Sequence, residues 1–168
     1  CGETPYIKMI TQLYGDHMYI SNATGCSSIW GDPAATSPYT VNAEGHGPAW
    51  NNSLFEDNAE HGLGLEVGYE AVHNKLVSDT KALLEADGVS ESFKAAAQAW
   101  LDARGDKAAS RQTADALIAA LPEVAAGEGA AAEAAQRILD HKEYLAKKSV
   151  WIFGGDGWAY DIGFGGVD

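Results

Sequence analysis

The chain has 168 residues, enough to bury one ordinary core, and its 46% hydrophobic and 21% charged content is that of a globular domain. A formal net charge of −13 argues against a nucleic-acid surface, which needs clustered Lys and Arg. No apolar run approaches the roughly 18 residues of a membrane span, and no stretch reads as a signal peptide.

From the amino terminus, Thr4-Pro5 is a good helix start, with Thr as cap and Pro in the first turn. Tyr6, Ile7, Ile10, Leu13 and Tyr14 then share one broad face, and Gly15 can end the helix. Met18-Tyr19-Ile20 reads as a short buried strand. It runs into a polar, glycine-containing turn, Asn22 to Ser28. Residues 31–51 carry three prolines, several glycines and no periodicity, so a long ordered loop is expected there. Ser53-Leu-Phe-Glu56 has the spacing of a capping box and predicts a helix start. Gly62, Gly64 and Gly68 in that region predict close backbone packing.

From about Glu70 to Lys148 the composition turns Ala-rich. Phe93, Ala97, Trp100 and Leu101 have helical spacing. So do Ala114, Leu117, Ile118 and Leu121, and later Ala135, Ile138, Leu139 and Leu145. Ser90 and Ser110 are expected caps, and Asp87-Gly88 and Arg104-Gly105 expected stops. There is no internal repeat. Val150-Trp-Ile-Phe153 then gives a second buried strand, followed by a glycine-rich turn, Gly154 to Gly166. Strand, helices, strand implies an α/β fold with a parallel sheet. Ligands bind such sheets at the carboxyl ends of the strands, where both unusual loops leave.

Within the second loop, Gly155-Asp156-Gly157 combines backbone that can approach a phosphate with a carboxylate that would repel it. A divalent cation such as Mg²⁺ reconciles the two by bridging carboxylate and phosphate oxygens. The competing reading is a plain turn in which Asp156 caps its neighbours. A dinucleotide fingerprint fails, because position 160 is Tyr. Two cysteines, Cys1 and Cys26, are too few for a disulfide framework or a complete thiolate metal site, so a buried small residue is the plain reading of Cys26. His17, His46, His61, His73 and His141 form no ligand pattern and read as surface or loop residues. Asn22-Ala-Thr24 and Asn51-Asn-Ser53 match the glycosylation acceptor pattern, a chance match at that length. There is no G-x-S-x-G nucleophile elbow.

Four stretches taken together are far more specific. They are Cys1-Gly-Glu-Thr-Pro-Tyr6, Asn22-Ala-Thr-Gly-Cys-Ser-Ser-Ile-Trp-Gly31, Gly47-Pro-Ala-Trp-Asn-Asn-Ser-Leu-Phe-Glu-Asp-Asn-Ala-Glu60 and Gly154-Gly-Asp-Gly-Trp-Ala-Tyr-Asp-Ile-Gly-Phe-Gly-Gly166. The chain resembles the thiamine-diphosphate-binding domain of the single-chain pyruvate:ferredoxin (or flavodoxin) oxidoreductases along its full length, least diagnostically in the Ala-rich segment. Residues 31–40 vary in that family.

The resemblance implies a partial domain in three stretches. Residues 1–69 would carry the cluster and cofactor loops with the first strand–helix units. Residues 70–148 would be a helical insertion, and 149–168 the last strand with the start of the Gly-Asp-Gly motif. It implies that Cys1 and Cys26 are two ligands of a [4Fe–4S] cluster whose other two lie outside this sequence, and that Asp156 is the Mg²⁺ ligand anchoring the diphosphate. Gly155, Gly157 and Trp158 would lie along the thiamine diphosphate, with Glu3 and Cys26 close to it. The catalytic glutamate and the substrate-binding residues belong to other parts of the family's enzymes, so no catalytic residue is expected here. The implied reaction is oxidation of pyruvate to acetyl-CoA and CO₂ with coenzyme A, electrons passing to ferredoxin or flavodoxin. A large homodimer in a reducing cytoplasm is implied, with no nucleic acid and no membrane as partner. The alternatives are a related 2-oxoacid:ferredoxin oxidoreductase with another substrate, and a non-catalytic α/β domain that only binds phosphate.

Overall fold

A computed structural model describes residues 1–32 and 37–163. It shows an α/β fold with a three-stranded, all-parallel sheet of order β2-β1-β3. The chain divides into two compact units, Cys1–Val67 with Lys148–Asp168, and Gly68–Lys147.

The first unit holds the sheet. Helix α1 spans Thr4–Tyr14, strand β1 Met18–Ala23 and the short helix α2 Cys26–Gly31. Strand β2 spans Ala49–Ser53 and β3 Ser149–Phe153. Helix α3, Asn58–Glu85, starts in this unit and continues into the second. Met18 and Ile20 of β1, Phe153 of β3 and Ile7 of α1 form the buried centre, with Trp50 and Trp151 packed against it. Burying four such side chains stabilises on the order of 1.5–3 kcal/mol each before the entropy of ordering is subtracted. The register aligns Asn22 with Phe153 and with Asn52, so all three strands leave the sheet at the same edge.

Three local expectations are corrected. The N-cap of α1 is Glu3, and Thr4 is already helical, because Pro5 sits within the first turn and needs no amide partner there. Ser53 closes β2 instead of opening a helix; its hydroxyl contacts Asn58 Oδ1 at 3.1 Å, and α3 starts at Asn58. The expected loop over 31–51 is interrupted by β2, whose pairing to β1 satisfies its backbone groups; residues 33–36 of that stretch lie outside the described residues.

Close packing falls on one of the three glycines in α3. A Cβ at Gly62 would lie 2.5 Å from Ile152 Cγ1 and 3.5 Å from Ser21 Cβ, so the helix rests directly on β1 and β3. Gly64 and Gly68 face open space, with nothing within 4 Å of an added Cβ.

The second unit is helical. It contains the remainder of α3, then α4 Glu91–Ala103, α5 Lys107–Ala125 and α6 Ala130–Asp140. Of the residues expected from helical spacing, Phe93, Ala97, Trp100, Leu101, Ala114, Leu117, Leu121, Ala135, Ile138 and Leu145 are buried in one cluster, and Ile118 and Leu139 are partly buried against it. Trp100 is fully enclosed, and its indole donates to the Leu145 carbonyl at 3.0 Å. Ser90 caps α4 as expected, accepting from the Phe93 amide. Ser110 does not cap: Asp106 does, accepting from Ala109 N at 2.7 Å, and Ser110 is buried one turn inside α5, taking the Lys147 amide at 3.0 Å. Asp79 of α3 is buried and ion-paired to Lys75 at 2.7 Å and to Arg137 at 3.1 Å. No helix among the described residues is long and apolar enough to cross a membrane.

Candidate functional site

The carboxyl edge of the sheet is held by one side chain. Asn58 is fully buried at the start of α3. Its Nδ2 donates to the Phe153 carbonyl at 2.8 Å, and its Oδ1 accepts from Ser21 Oγ at 2.7 Å and from Ser53 Oγ at 3.1 Å. One carboxamide thus engages all three strands just before their loops leave. A buried amide is tolerable only when satisfied in this way. His61 adds a 2.7 Å contact from Nδ1 to Ser21 Oγ. The expectation of surface histidines therefore fails at His61. It fails also at His17, which is 5% exposed and contacts Asp16 at 3.2 Å.

The loop after β3 folds back on itself. Gly155 O accepts from Ala159 N at 3.0 Å, and Asp156 O from Asp161 N at 2.8 Å. The Trp158 ring lies against Gly154 so closely that a Cβ there would overlap it. Glycine at 154 is thus required by packing alone. Asp156 is exposed, and one carboxylate oxygen accepts from the Gly157 amide at 2.9 Å. This is the local capping contact of the plain reading. The other oxygen, Oδ2, has no hydrogen-bond partner among the described residues. Residues 164–166 of the glycine-rich stretch lie outside the described residues.

Glu3 is brought to this loop from the other end of the sequence. Its Oε2 is 3.7 Å from where a Cβ on Gly155 would stand. That oxygen is buried and has no hydrogen-bond partner among the described residues. Burial first, and the negative charge of Asp156 second, push the Glu3 carboxyl above the usual carboxylate range. Burial, then the charge of Glu3, raises the Tyr39 phenol above its ordinary value. Glu3 thus stands near both Asp156 and Tyr39, whose hydroxyl is buried. Such a cluster is relieved by a cation or by a ligand that supplies donors.

The loop after β1 is polar and internally bonded. Asn22, fully buried, donates to Ser27 Oγ at 3.0 Å and accepts from the Trp50 indole at 3.2 Å. Ser28 Oγ accepts from Gly25 N at 3.0 Å and donates to Gly25 O at 2.7 Å. Cys26, the first residue of α2, is an exposed free thiol, and so is Cys1. The plain reading of Cys26 as a buried small residue is thereby overturned. Among the described residues no three His, Cys, Asp or Glu side chains are grouped to hold a metal ion.

Glu3, Gly155 and Asp156 of the expected site are brought together, and Trp158 packs on the same loop. Tyr39, Asn58 and Ser21 belong to the region as well and were missed. Asn58 had a signal, as a polar residue opening a helix just after a turn; Tyr39 had none, because its neighbour Glu3 is remote in sequence.

No family model matches the chain. Among curated proteins, the pyruvate:ferredoxin oxidoreductase of Moorella thermoacetica is 53% identical over 169 residues, covering 100% of this chain and 14% of that protein. The pyruvate-flavodoxin oxidoreductase of Klebsiella pneumoniae is 51% identical over 168 residues, again covering 100% of this chain and 14% of the relative. A mitochondrial pyruvate dehydrogenase [NADP(+)] of Euglena gracilis is 45% identical over 170 residues, 100% of this chain and 9% of that protein. The chain thus spans about one seventh or less of the length of the relatives it matches.

Proposed function

The chain belongs to the pyruvate:ferredoxin and pyruvate-flavodoxin oxidoreductases, matching one segment of them, and from that premise we propose that it is the diphosphate-binding part of an enzyme that oxidises pyruvate. The observation that carries the proposal is the meeting of Glu3 with Gly155-Asp156 at the carboxyl edge of a parallel sheet.

The residues fit a metal-bridged diphosphate. Asp156, with Oδ1 on the Gly157 amide, would hold a divalent cation through its remaining carboxylate oxygen. Such a cation would also relieve the repulsion between Asp156 and Glu3. Gly155 and Gly157 leave the backbone bare for a phosphate to approach. Glu3, with a buried oxygen lacking a protein partner, lines the same place. Thiamine diphosphate, when bound, supplies the nucleophile and electron sink needed to decarboxylate a 2-oxo acid. What this segment does is hold: Asn58 fixes the ends of three strands, Trp158 stiffens the turn, and Asp156 and Glu3 present oxygen at its surface.

Cys1 and Cys26, both exposed, are free to ligate an iron–sulfur cluster with thiolates from elsewhere in the polypeptide. Electrons would pass through it to ferredoxin or flavodoxin, with coenzyme A taking the acetyl group. Exposed thiols and such a cluster suit a reducing compartment, the cytoplasm, and the complete enzyme is proposed as a homodimer.

The test is expression of the complete reading frame containing this sequence, under argon. Pyruvate- and coenzyme-A-dependent reduction of ferredoxin or flavodoxin is expected. Asp156→Ala should weaken thiamine diphosphate and Mg²⁺ binding in calorimetric titration and leave the thermal midpoint nearly unchanged, because the side chain is exposed. Unchanged cofactor binding would reduce Asp156 to a turn residue. Binding of phosphate compounds with no 2-oxo acid oxidation would favour a binding domain without catalysis.

A further inference from the structure

We infer that the cleft between α1 and residues 38–47, with the outward face of α1, is a docking groove for an apolar, carboxylate-bearing segment of the longer polypeptide, an inference that rests on reading the chain as one segment of a larger oxidoreductase. The cleft encloses about 500 Å³ and is lined by Lys8, Gln12, Leu13, Pro38, Val41 and His46 among others. That volume would suit a small molecule, but such ligands are usually 70–90% covered. Here Leu13 is 61% and Val41 58% exposed, so the walls are too open to enclose one.

The apolar surface also continues past the cleft. Tyr6, Met9 and Leu13 recur at helical spacing on α1 and are 65%, 53% and 61% exposed. A contiguous apolar stripe beside a cleft marks an interaction surface. The wall opposite is preformed. Asn42 N donates to His46 O at 2.8 Å, and Asn42 Oδ1 accepts from Glu44 N and His46 N at 3.1 and 3.0 Å. At Gly47 a Cβ would overlap the Thr40 carbonyl, so the loop closes tightly on itself.

Charge selects the occupant. In a chain of net charge −13, the cleft presents Lys8, which makes no ion pair among the described residues, and His46. Its one acid, Asp16, is in contact with His17 at 3.2 Å. An occupant with a carboxylate and apolar side chains matches this lining. The relatives matched over their 14% segments leave ample polypeptide to supply the occupant in cis.

The test places p-benzoylphenylalanine at Leu13 of the complete polypeptide and maps the photoproducts by mass spectrometry. A mixture of ¹⁵N-labelled and unlabelled protein separates cross-links within a chain from those between chains. Cross-links within one chain, to an Asp- or Glu-containing peptide outside these 168 residues, are expected, and Lys8→Glu should lower their yield several-fold. Cross-links between labelled and unlabelled copies, or photoproducts with water alone, overturn the inference. Hydroxyl-radical footprinting of the unsubstituted protein gives an independent reading: Met9 should oxidise slowly, and oxidation as fast as free methionine overturns the groove. Pyruvate oxidation is assayed on the same preparation. Activity with an open Met9 sinks the groove alone, whereas a covered Met9 without activity sinks the enzymatic reading alone.

Discussion

Asn58 donates from Nδ2 to the Phe153 carbonyl at 2.8 Å, joining the first residue of α3 to the last residue of β3 across 95 residues of sequence. Gly154, where the glycine-rich loop begins, follows Phe153 directly. The same carboxamide takes the hydroxyls of Ser21 and Ser53; removing it takes the side-chain donor from the Phe153 carbonyl, while Ser21 Oγ keeps His61 Nδ1 at 2.7 Å and Ser53 Oγ keeps the Leu54 carbonyl at 2.8 Å. Asn58→Ala should destabilise the protein by about 1–3 kcal/mol, the cost of one buried polar group left without its partner. Asn58→Asp keeps the acceptor but turns a carboxylate oxygen on the Phe153 carbonyl in a buried place, and should cost at least as much. Urea denaturation followed by tryptophan fluorescence measures both. A loss below that of an ordinary surface substitution would mean that Asn58 does not hold the strand ends.

Gly62 and Gly64 make a matched pair on α3. Ala at 62 pushes its methyl to within 2.5 Å of Ile152 Cγ1, so the half-exposed Ile152 side chain must swing away or the helix must lift off the sheet. A cost of about 1–3 kcal/mol is expected, as for overpacking. Ala at 64 meets nothing within 4 Å and should stabilise by about 0.5–1 kcal/mol through helix propensity. Thermal melts of the two variants should shift in opposite directions. Equal shifts would contradict the close approach of α3 to the sheet.

The helical unit should show an acid limit set by Asp79. Burial works to raise this carboxyl, but the hydrogen bonds and charges of Arg137 and Lys75 outweigh it and hold it below its ordinary 3.8. A depressed carboxyl contributes stability that is present above its unfolded value and lost as pH falls through its folded value. Asp79→Asn should therefore cost about 1–3 kcal/mol at neutral pH, since Arg137 is half exposed and its side of the pair is screened. The difference between parent and variant should shrink as the pH is lowered below 3.8. Melting curves at a series of pH values would show it. A constant difference down to the acid limit would place the stabilisation elsewhere.

These residues also show what could be read in advance. Met18–Ile20 and Val150–Phe153 are apolar runs inside β1 and β3, and helical spacing marks Phe93, Trp100, Leu117 and Ile138, so two strands and the helical core were legible, while Ser21-Asn22-Ala23 hid the end of β1. β2 was not. Ala49-Trp-Asn-Asn-Ser53 has one large apolar residue, lies at the sheet edge, and is a strand because β1 pairs with it. Ser110 looked like a cap because serine favours caps, yet Asp106 stands where the helix begins. At the site, Asp156 was singled out by the chemistry of Gly155-Asp156-Gly157, and Glu3 by resemblance alone. The raised carboxyl of Glu3 and the involvement of Tyr39 depend on distance in space, which sequence separation hides.

Cys26 is where the proposed cofactor loop and the proposed cluster meet. It opens α2 directly after the loop leaving β1, and its thiol is exposed and free. Its exposure leaves the sulfur accessible for the ligation proposed above. Cys26→Ser in the complete enzyme should still fold, since the hydroxyl is nearly isosteric and solvent reaches the position. Serine oxygen is a poor substitute for a soft thiolate on iron, so the cluster should be lost or its potential moved. In the proposed reaction, decarboxylation would rest on thiamine diphosphate and precede electron transfer to the cluster. Isotope exchange between CO₂ and pyruvate should therefore survive in part, while electron delivery to ferredoxin falls several-fold further. The measured quantity is the ratio of those two activities in variant and parent, with EPR reporting the cluster. Both activities falling together around an intact cluster would assign Cys26 to the cofactor pocket alone. No change in either would leave it a bystander on an exposed turn.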